Sequence, residues 1–280
     1  MTGSALRRLT FDEPVSRLAI WAKRLAKISL LLALAALAAA HAHGVTARFF
    51  AALTLRPNAV PDPGLGLFIF VLAVAVAVLT LVLVAGAAVS IWVRGRRGVP
   101  QLLVALLLVT LLAPYPAWLA FSAGDIDWLA DISTDTDDPP AFSTAPDALA
   151  ARGGWTPPPV APERRREQEA GYPDVKTISL DMQPEEAFEA SREAVTQLRW
   201  KILEEVHPGG TRRPEGHIEA LARSTALGIP RLVSIRIRPV EGETRIDVRV
   251  VTRYLPSDLG AGAALIGQLG DIVEEKDDSE

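Results

Sequence analysis

The 280-residue chain has no cysteine and only four histidines. Without cysteine there is no disulfide, no thiolate zinc site, no iron–sulfur ligation and no thiol nucleophile, although the compartment stays open. Acidic residues are nearly missing from the front. Up to Phe121 there are 3 Asp+Glu against 11 Lys+Arg, and beyond it 30 against 18. The first part therefore carries +8 and the second −12, an asymmetry that argues against one soluble globule and against wholesale nucleic-acid binding. Neither a nucleophile elbow nor a P-loop occurs. Gly260-Ala261-Gly262 followed by Leu265 fails the dinucleotide fingerprint and reads as small residues allowing close helix–sheet packing. No cofactor is implied.

What the front does have is apolar length. Leu65 to Val93 contains no charged residue and exceeds the run of about 20 that crosses a hydrocarbon core. Val99 to Phe121 is a second such run, joined by Arg94-Gly95-Arg96-Arg97-Gly98, a connection too short to hold a domain. Pro114 and Pro116 should bend or end it. The first run, Ile28 to Ala42, is shorter. Its flank carries Arg7, Arg8, Arg17, Lys23, Arg24 and Lys27, whose apolar stems extend it to a span from Leu18 to Ala42. A cleaved signal peptide is the rival, since Ala40-His41-Ala42 fits the cleavage pattern; the long cationic lead favours an uncleaved anchor. The expectation is a transmembrane region over 1–122 with three spans, about 18–42, 65–93 and 99–121.

Topology follows from positive charge. The N-terminus and the Arg94, Arg96, Arg97 connection should stay cytoplasmic, because Lys and Arg resist translocation. His41 to Pro63, with only Arg48 and Arg56, then lies outside. So does everything after Phe121, and Asp125, Asp127 and Asp131 agree with an exported flank. This describes a multi-pass bacterial inner-membrane protein with a periplasmic C-terminal domain. Its partners would be the bilayer and an envelope or membrane-complex protein, not nucleic acid.

Residues 123–172 read as a tether. Pro139-Pro140, Pro146, Pro157-Pro158-Pro159 and Pro162 favour extended polyproline II and forbid helix interiors. Within it Asp131, Asp135, Asp137 and Asp138 place four carboxylates in eight residues, a candidate site for a hard cation. Their spacing does not match the calcium loop, and Asp, Ser and Thr here also suit an ordered turn.

The rest, 173–275, reads as an α+β domain closed by an acidic tail at 276–280. Asp174 to Leu180 is a strand. Pro184 opens a helix with Glu185 and Glu186 in its first turn, and Phe188, Ser191, Val195 and Leu198 share one face. Trp200–His207, His217–Arg223, Leu232–Arg238 and Arg245–Arg253 are strands, the last two joined at Glu241-Gly242-Glu243. Ile218, Ala220, Ala222, Val233, Ile235, Ile237, Ile246, Val248 and Val250 alternate with polar residues, which predicts an antiparallel sheet with one buried face. Leu259, Ala263, Ile266, Leu269 or Gly270, and Val273 make a closing amphipathic helix. The expected order is β-α-β-β-β-β-α: about five strands with two helices on one face.

Several segments carry a resemblance. DISTDTDDPPAF, YPDVKTISLDMQPEEAFEASREA, Arg199-Trp200, GHIEALARST, IRIRP, ETRIDVRVVTR and SDLGAG resemble a bacterial and plastid family, domain of unknown function 1499. The similarity runs from about Asp125 to Val273, and the spans before it look like those of the family's proteobacterial members. The family implies no established reaction. This chain departs from it at Leu227-Gly228-Ile229-Pro230-Arg231-Leu232, where members usually show Phe-Gly-Phe-x-Asp-Asp. It also departs at Val250-Val251-Thr252-Arg253, where they show Ser-x-Ser-Arg. At Gly262, Ala264 and Leu265 it lacks the Asn and Lys-Arg usual there.

The remaining chemistry is a cationic sheet face: Arg223, Arg236, Arg238, Arg245, Arg249 and Arg253, interleaved with Glu219 and Asp247. Arginine suits bidentate recognition of phosphate or carboxylate, so an anionic ligand or acidic partner is one reading. Cross-strand ion pairing on a solvated face is the other and plainer one, at about 0–1 kcal/mol per pair. His41 and His43 sit at a membrane edge, and His207 and His217 flank a turn where they could pair. The expected function is a membrane-anchored, non-enzymatic binding domain. A metal-assisted hydrolase using the four aspartates with His217 as base, or a structural subunit of a membrane complex, is the alternative.

Overall fold

The computed structural model describes residues 14–41, 64–122, 129–209, 214–224, 227–253 and 255–278. Arg7, Arg8, Ala42, His43, Arg48, Arg56, Asp125, Asp127, Gly210, the last two tail residues and the side chain of His41 lie outside them. The chain divides into two compact units, a helical one and an α+β one.

The helical unit is built from α1 (Arg17–His41), α2 (Gly64–Arg94), α3 (Val99–Leu112) and α4 (Pro114–Ser122). Its interior is a seam of small residues. Phe70, Ala73, Ala77, Thr80, Val84 and Ala87 are buried along α2 at alternating three- and four-residue steps, the spacing of a coiled-coil stripe. Ala77, Val84 and Ala87 cluster with Ala19, Ala22 and Ala26 of α1 and Leu102, Ala105 and Val109 of α3. Small side chains let helices approach closely, and Ser29 Oγ donates to the Ala73 carbonyl at 2.8 Å across the seam. The large apolar side chains face out: Leu31, Phe68, Val82, Leu107 and Trp92, the last 91 % exposed.

Only Gly66–Arg94 is by itself long and apolar enough to cross a membrane among the described residues. Val99–Leu112 and Pro114–Phe121, bent by 49° at the Ala113-Pro114 break, add a second if they act as one span. Proline 114 there removes a donor and forces the bend foreseen in the sequence. On this measure the expected three spans become one or two. Helix α1 carries Arg17, Lys23, Arg24 and Lys27 in its first half.

In the α+β unit a six-stranded, wholly antiparallel sheet runs β1-β6-β5-β4-β3, with β2 also paired to β6. The strands are β1 (Asp131–Ser133), β2 (Ile178–Leu180), β3 (Lys201–Val206), β4 (Gly216–Arg223), β5 (Pro230–Val240) and β6 (Glu243–Thr252). The helices are α5 (Pro146–Ala151), α6 (Pro162–Gly171), α7 (Pro184–Gln197) and α8 (Ala261–Asp277). The fold is therefore α+β as expected, with six strands rather than five. The first predicted strand shrinks to Ile178–Leu180, while β1 comes from the stretch read as a tether. Strands β1 and β2 lie end to end along β6 and cover an edge that would otherwise be open to pairing.

Local chemistry explains the long elements. Helix α7 starts at a capping box: the Gln183 N–H donates to Glu186 Oε2 at 3.1 Å, with Pro184 in the first turn. It ends in a Schellman motif, with Trp200 N–H bonded to the Val195 carbonyl and Arg199 N–H to that of Thr196. Arg199 takes the left-handed position at φ 57° that glycine usually fills, and Trp200 is buried. Glu241 and Gly242, at φ 55° and 97°, form the two-residue β5–β6 turn whose twist matches the strands. The face holding Ile218, Val233, Ile235, Ile237, Ile246 and Val248 packs on Phe188 and Val195 of α7 and Leu269 and Val273 of α8. Helix α8 runs on through Asp277, past the expected tail boundary, and Lys276 there pairs with Glu193 of α7.

Candidate functional site

The opposite sheet face carries the arginines and is covered in part: Arg249 is buried, Arg236, Arg238 and Arg245 are half-buried, and Arg223 and Arg253 are exposed. Residues 129–171 lie across it instead of dangling as a spacer. Ser133 and Gln168 exchange two hydrogen bonds: Ser133 N–H donates at 2.9 Å and Gln168 Nε2 returns to the Ser133 carbonyl at 2.5 Å. Ser234 Oγ of β5 donates to the Ala141 carbonyl at 2.8 Å. Phe142 inserts against Leu232 and Val251, with Trp155, Leu203 and Leu221 at the rim. Pro146 and Pro162 open the short helices α5 and α6, while Pro139-Pro140 and Pro157-Pro158-Pro159 lie in connections without regular structure. What the sequence could not reveal is that their carbonyls and the intervening side chains have partners on the sheet.

Under this cover the two groups of candidate residues are each other's partners. Asp247 of β6, fully buried, receives Arg236 Nη2 at 2.9 Å, Arg238 Nη2 at 3.1 Å and Thr177 Oγ1 at 2.7 Å. Asp135 faces Arg238 at 3.0 Å and Arg236 at 3.3 Å, and its other oxygen accepts from the N–H groups of Asp137 and Asp138. That is the ordered turn foreseen for this stretch. Asp138 meets Arg236 Nη1 at 2.7 Å. Asp131 takes Arg249 in bidentate fashion at 2.9 and 2.7 Å, and the same guanidinium reaches the Pro158 carbonyl and lies over Phe142. Asp137 is 97 % exposed and sits 3.5 Å from Arg165. Burial works against charge on Arg236, but Asp247 and Asp138 outweigh it and hold its pKa above the ordinary arginine value.

The other arginines lie apart from these pairs. Arg223 donates to the Gly228 carbonyl at 3.3 Å, and Arg253 stacks over Trp155 with a long bond to the Arg152 carbonyl. Arg245, half-buried, stands opposite Arg238 in register and has no carboxylate partner among the described residues.

A third group was not picked out as a site from the sequence. Glu219 of β4 is fully buried and accepts from Ser143 N–H at 2.9 Å and Arg152 Nη1 at 3.2 Å. Arg152, likewise buried, comes from just after α5 and lies over Phe142. Burial raises the Glu219 pKa, with Ser143 and Arg152 offsetting only part of that. His217, two residues earlier on the same face, has its pKa lowered by burial, with Glu204 pulling the other way and Arg152 and Arg236 adding to the fall. Glu204 of β3 stands directly opposite Glu219 because the register slips between Ile202 and Glu204. In an unbroken ladder Leu203 would face Glu219 and Glu204 would turn to the core side; the bulge is what brings Glu204 to the polar face. Ligand-capable atoms of Glu204, His217 and Glu219 all lie within 4.8 Å of one another, and no other such trio of His, Cys, Asp or Glu occurs among the described residues. The four aspartates therefore do not converge, and His217 joins glutamates instead. His207 does not pair with it: its ring packs on Phe188 at 4.3 Å and faces Glu189.

Two further features frame the domain. At the start of α8, Asp258 accepts from Gly260 N–H at 2.9 Å and Gly262 N–H at 2.6 Å, while burial raises its pKa. A side chain at position 262 would strike this carboxylate and come within 3.2 Å of Ile132 of β1, so the glycine allows the close helix–sheet packing expected there. A groove of about 470 Å³ opens between the 171–179 segment and α8, bordered by Tyr172, Lys176, Gly270 and Glu274.

These observations define a class: an α+β domain on a six-stranded antiparallel sheet, with α7 and α8 on one face and its own N-terminal segment, α5 and α6 included, partly covering the charged other. The chain belongs to the family described as Protein of unknown function (DUF1499), which it matches over residues 131–271. That match begins at β1, so the covering segment is part of the family domain. No curated protein and no solved structure matches the chain.

Proposed function

We propose that this is an integral protein of a bacterial inner membrane that displays its α+β domain on the periplasmic side, where the domain acts by binding an envelope partner rather than by catalysis. The observation that carries the membrane part is the dressing of the helical unit, with alanines in the seam and Leu, Val, Phe and Trp outward. In water that arrangement exposes a large apolar surface; in hydrocarbon it is the favourable one. Arg94, Arg96 and Arg97 then mark the cytoplasmic end of α2. One more crossing, by α3 and α4 together, delivers the domain to the other side. That result is the same whether α1 is a third span, as the sequence reading has it, or a cleaved leader.

For the binding part, the support is the state of the polar face. Asp131, Asp135 and Asp138 already engage Arg249, Arg236 and Arg238. A small anion would have to displace carboxylates from within the chain, so a protein partner comes first. An anionic ligand is the second reading, favoured by Arg245 with its lack of a described carboxylate partner. The same pairs weigh against a hydrolase built on the four aspartates. The test is extraction. Alkaline carbonate should leave the chain in the membrane pellet, and gentle detergent should release it with a stoichiometric partner on sizing and mass spectrometry. Release by carbonate contradicts the membrane reading, and a bare monomer in detergent contradicts the partner.

A further inference from the structure

We propose that Glu204, His217 and Glu219 form a binding site for one divalent transition-metal ion, zinc in the first instance. It stands apart from the membrane reading and from the four-aspartate segment, and no step of either depends on it.

The backbone builds the trio. His217 and Glu219 are two apart on β4 and so share a face, and the β3 bulge sets Glu204 across from Glu219. Two carboxylates directly opposite each other repel unless something positive lies between them. Arg152 satisfies only part of that need. It bonds Glu219 Oε2, while Glu219 Oε1 lies 3.1 Å from its Nη1 without hydrogen-bond geometry.

Unmet polar atoms point the same way. Glu204 Oε2, His217 Nε2 and Glu219 Oε1 are all buried atoms with no hydrogen-bond partner among the described residues. Their residues are the ones whose ligand atoms converge within 4.8 Å. Buried polar atoms are rarely left unsatisfied, and three on residues that converge are a reason to look for a shared electrophile. Arg152 pairs with Glu219, whereas Glu204 has no ion-pair partner among the described residues. One imidazole nitrogen and two carboxylate oxygens are a donor set for zinc and its first-row neighbours, with a fourth position open to water. Bonds of about 2.0–2.2 Å put tetrahedral donors roughly 3.3 Å apart, so the trio closes on an ion by modest rotation of two glutamate side chains. Glu204 and His217 are half-buried, which leaves a way in.

The test uses the full chain in detergent, stripped with a chelator and titrated with zinc by calorimetry. One zinc per chain is expected, with affinity falling at least about tenfold in Glu204→Gln and in His217→Asn. Asp137→Asn and the His41→Asn/His43→Asn double variant should bind like the original. Cobalt in place of zinc should give a visible band that His217→Asn alters. Zinc should also raise the melting temperature of the original chain but not of Glu204→Gln, a readout valid for any variant that still melts cooperatively. The proposal is overturned if the chain takes up no zinc, or if both site variants bind it unchanged. It is equally overturned if zinc leaves the melting temperature of the original chain unchanged.

Discussion

The two units of this chain bury opposite things. The helical unit hides Ala22, Ala26, Ala73, Ala77, Ala87 and Ala105 and presents Trp92, Phe68 and Leu107 to its surroundings. The α+β unit hides Phe188, Ile218, Ile235, Ile237 and Val248 and presents charge, apart from the pairs sealed under its own N-terminal segment. On the membrane reading proposed above, the two surfaces face different solvents. Where burial of apolar area drives folding, large aliphatic side chains go inside; where the solvent is itself apolar, close packing decides and small residues take the seam. The sheet domain adds its own contrast. One face is held by aliphatic packing, while the other combines a small apolar cluster with ion pairs that must be complete to be tolerated.

That contrast can be broken at chosen points. The largest effect should come from the fully buried carboxylate. Asp247→Ala leaves Arg236 and Arg238 short of their shared partner and should cost about 3–5 kcal/mol in urea unfolding. On the aliphatic face, Phe188→Ala should cost about 3–5 kcal/mol, because the ring is wholly buried against strand and helix. If Asp247→Ala proves nearly neutral instead, the polar face is not what holds residues 129–171 in place. Overpacking comes next. Gly262→Ala should cost about 1–3 kcal/mol by pressing on Asp258, and Ala77→Leu should lower the detergent melting temperature while Val82→Leu on the outer face does not. The smallest effect concerns pH. Burial holds His217 below its ordinary value of 6.5, so below that pH the unfolded chain takes up a proton that the folded chain resists. Stability should therefore fall as pH drops from 6.5 toward the folded-state value, and His217→Asn should flatten that slope in thermal melts.

Much of the fold was legible because periodicity reports burial directly. The alternation at Val233, Ile235, Ile237 and at Ile246, Val248, Val250 marks the core face, and Pro184-Glu185-Glu186 marks the start of α7. Residues 129–171 were harder. Proline runs report extended backbone but not what the backbone lies against, so the Ser133–Gln168 and Ser234–Ala141 links had no sequence signal. Pairing of Asp131 with Arg249 spans 118 positions, and nothing local announces it. The Glu204 side chain was hidden for another reason. A single bulge reverses which way every later residue of β3 points, and strict alternation places Glu204 on the wrong face. Basic residues along α1 count toward a span only if their stems reach the interface, which apolar length alone does not measure.

The proposed topology places the α+β domain on the periplasmic side of the bilayer. Alkaline phosphatase fused after Glu280 measures this directly, because it is active only once exported. The fusion should be active, and a fluorescent protein that matures only in the cytoplasm should stay dark at the same position. A bright cytoplasmic reporter with a silent phosphatase would contradict it.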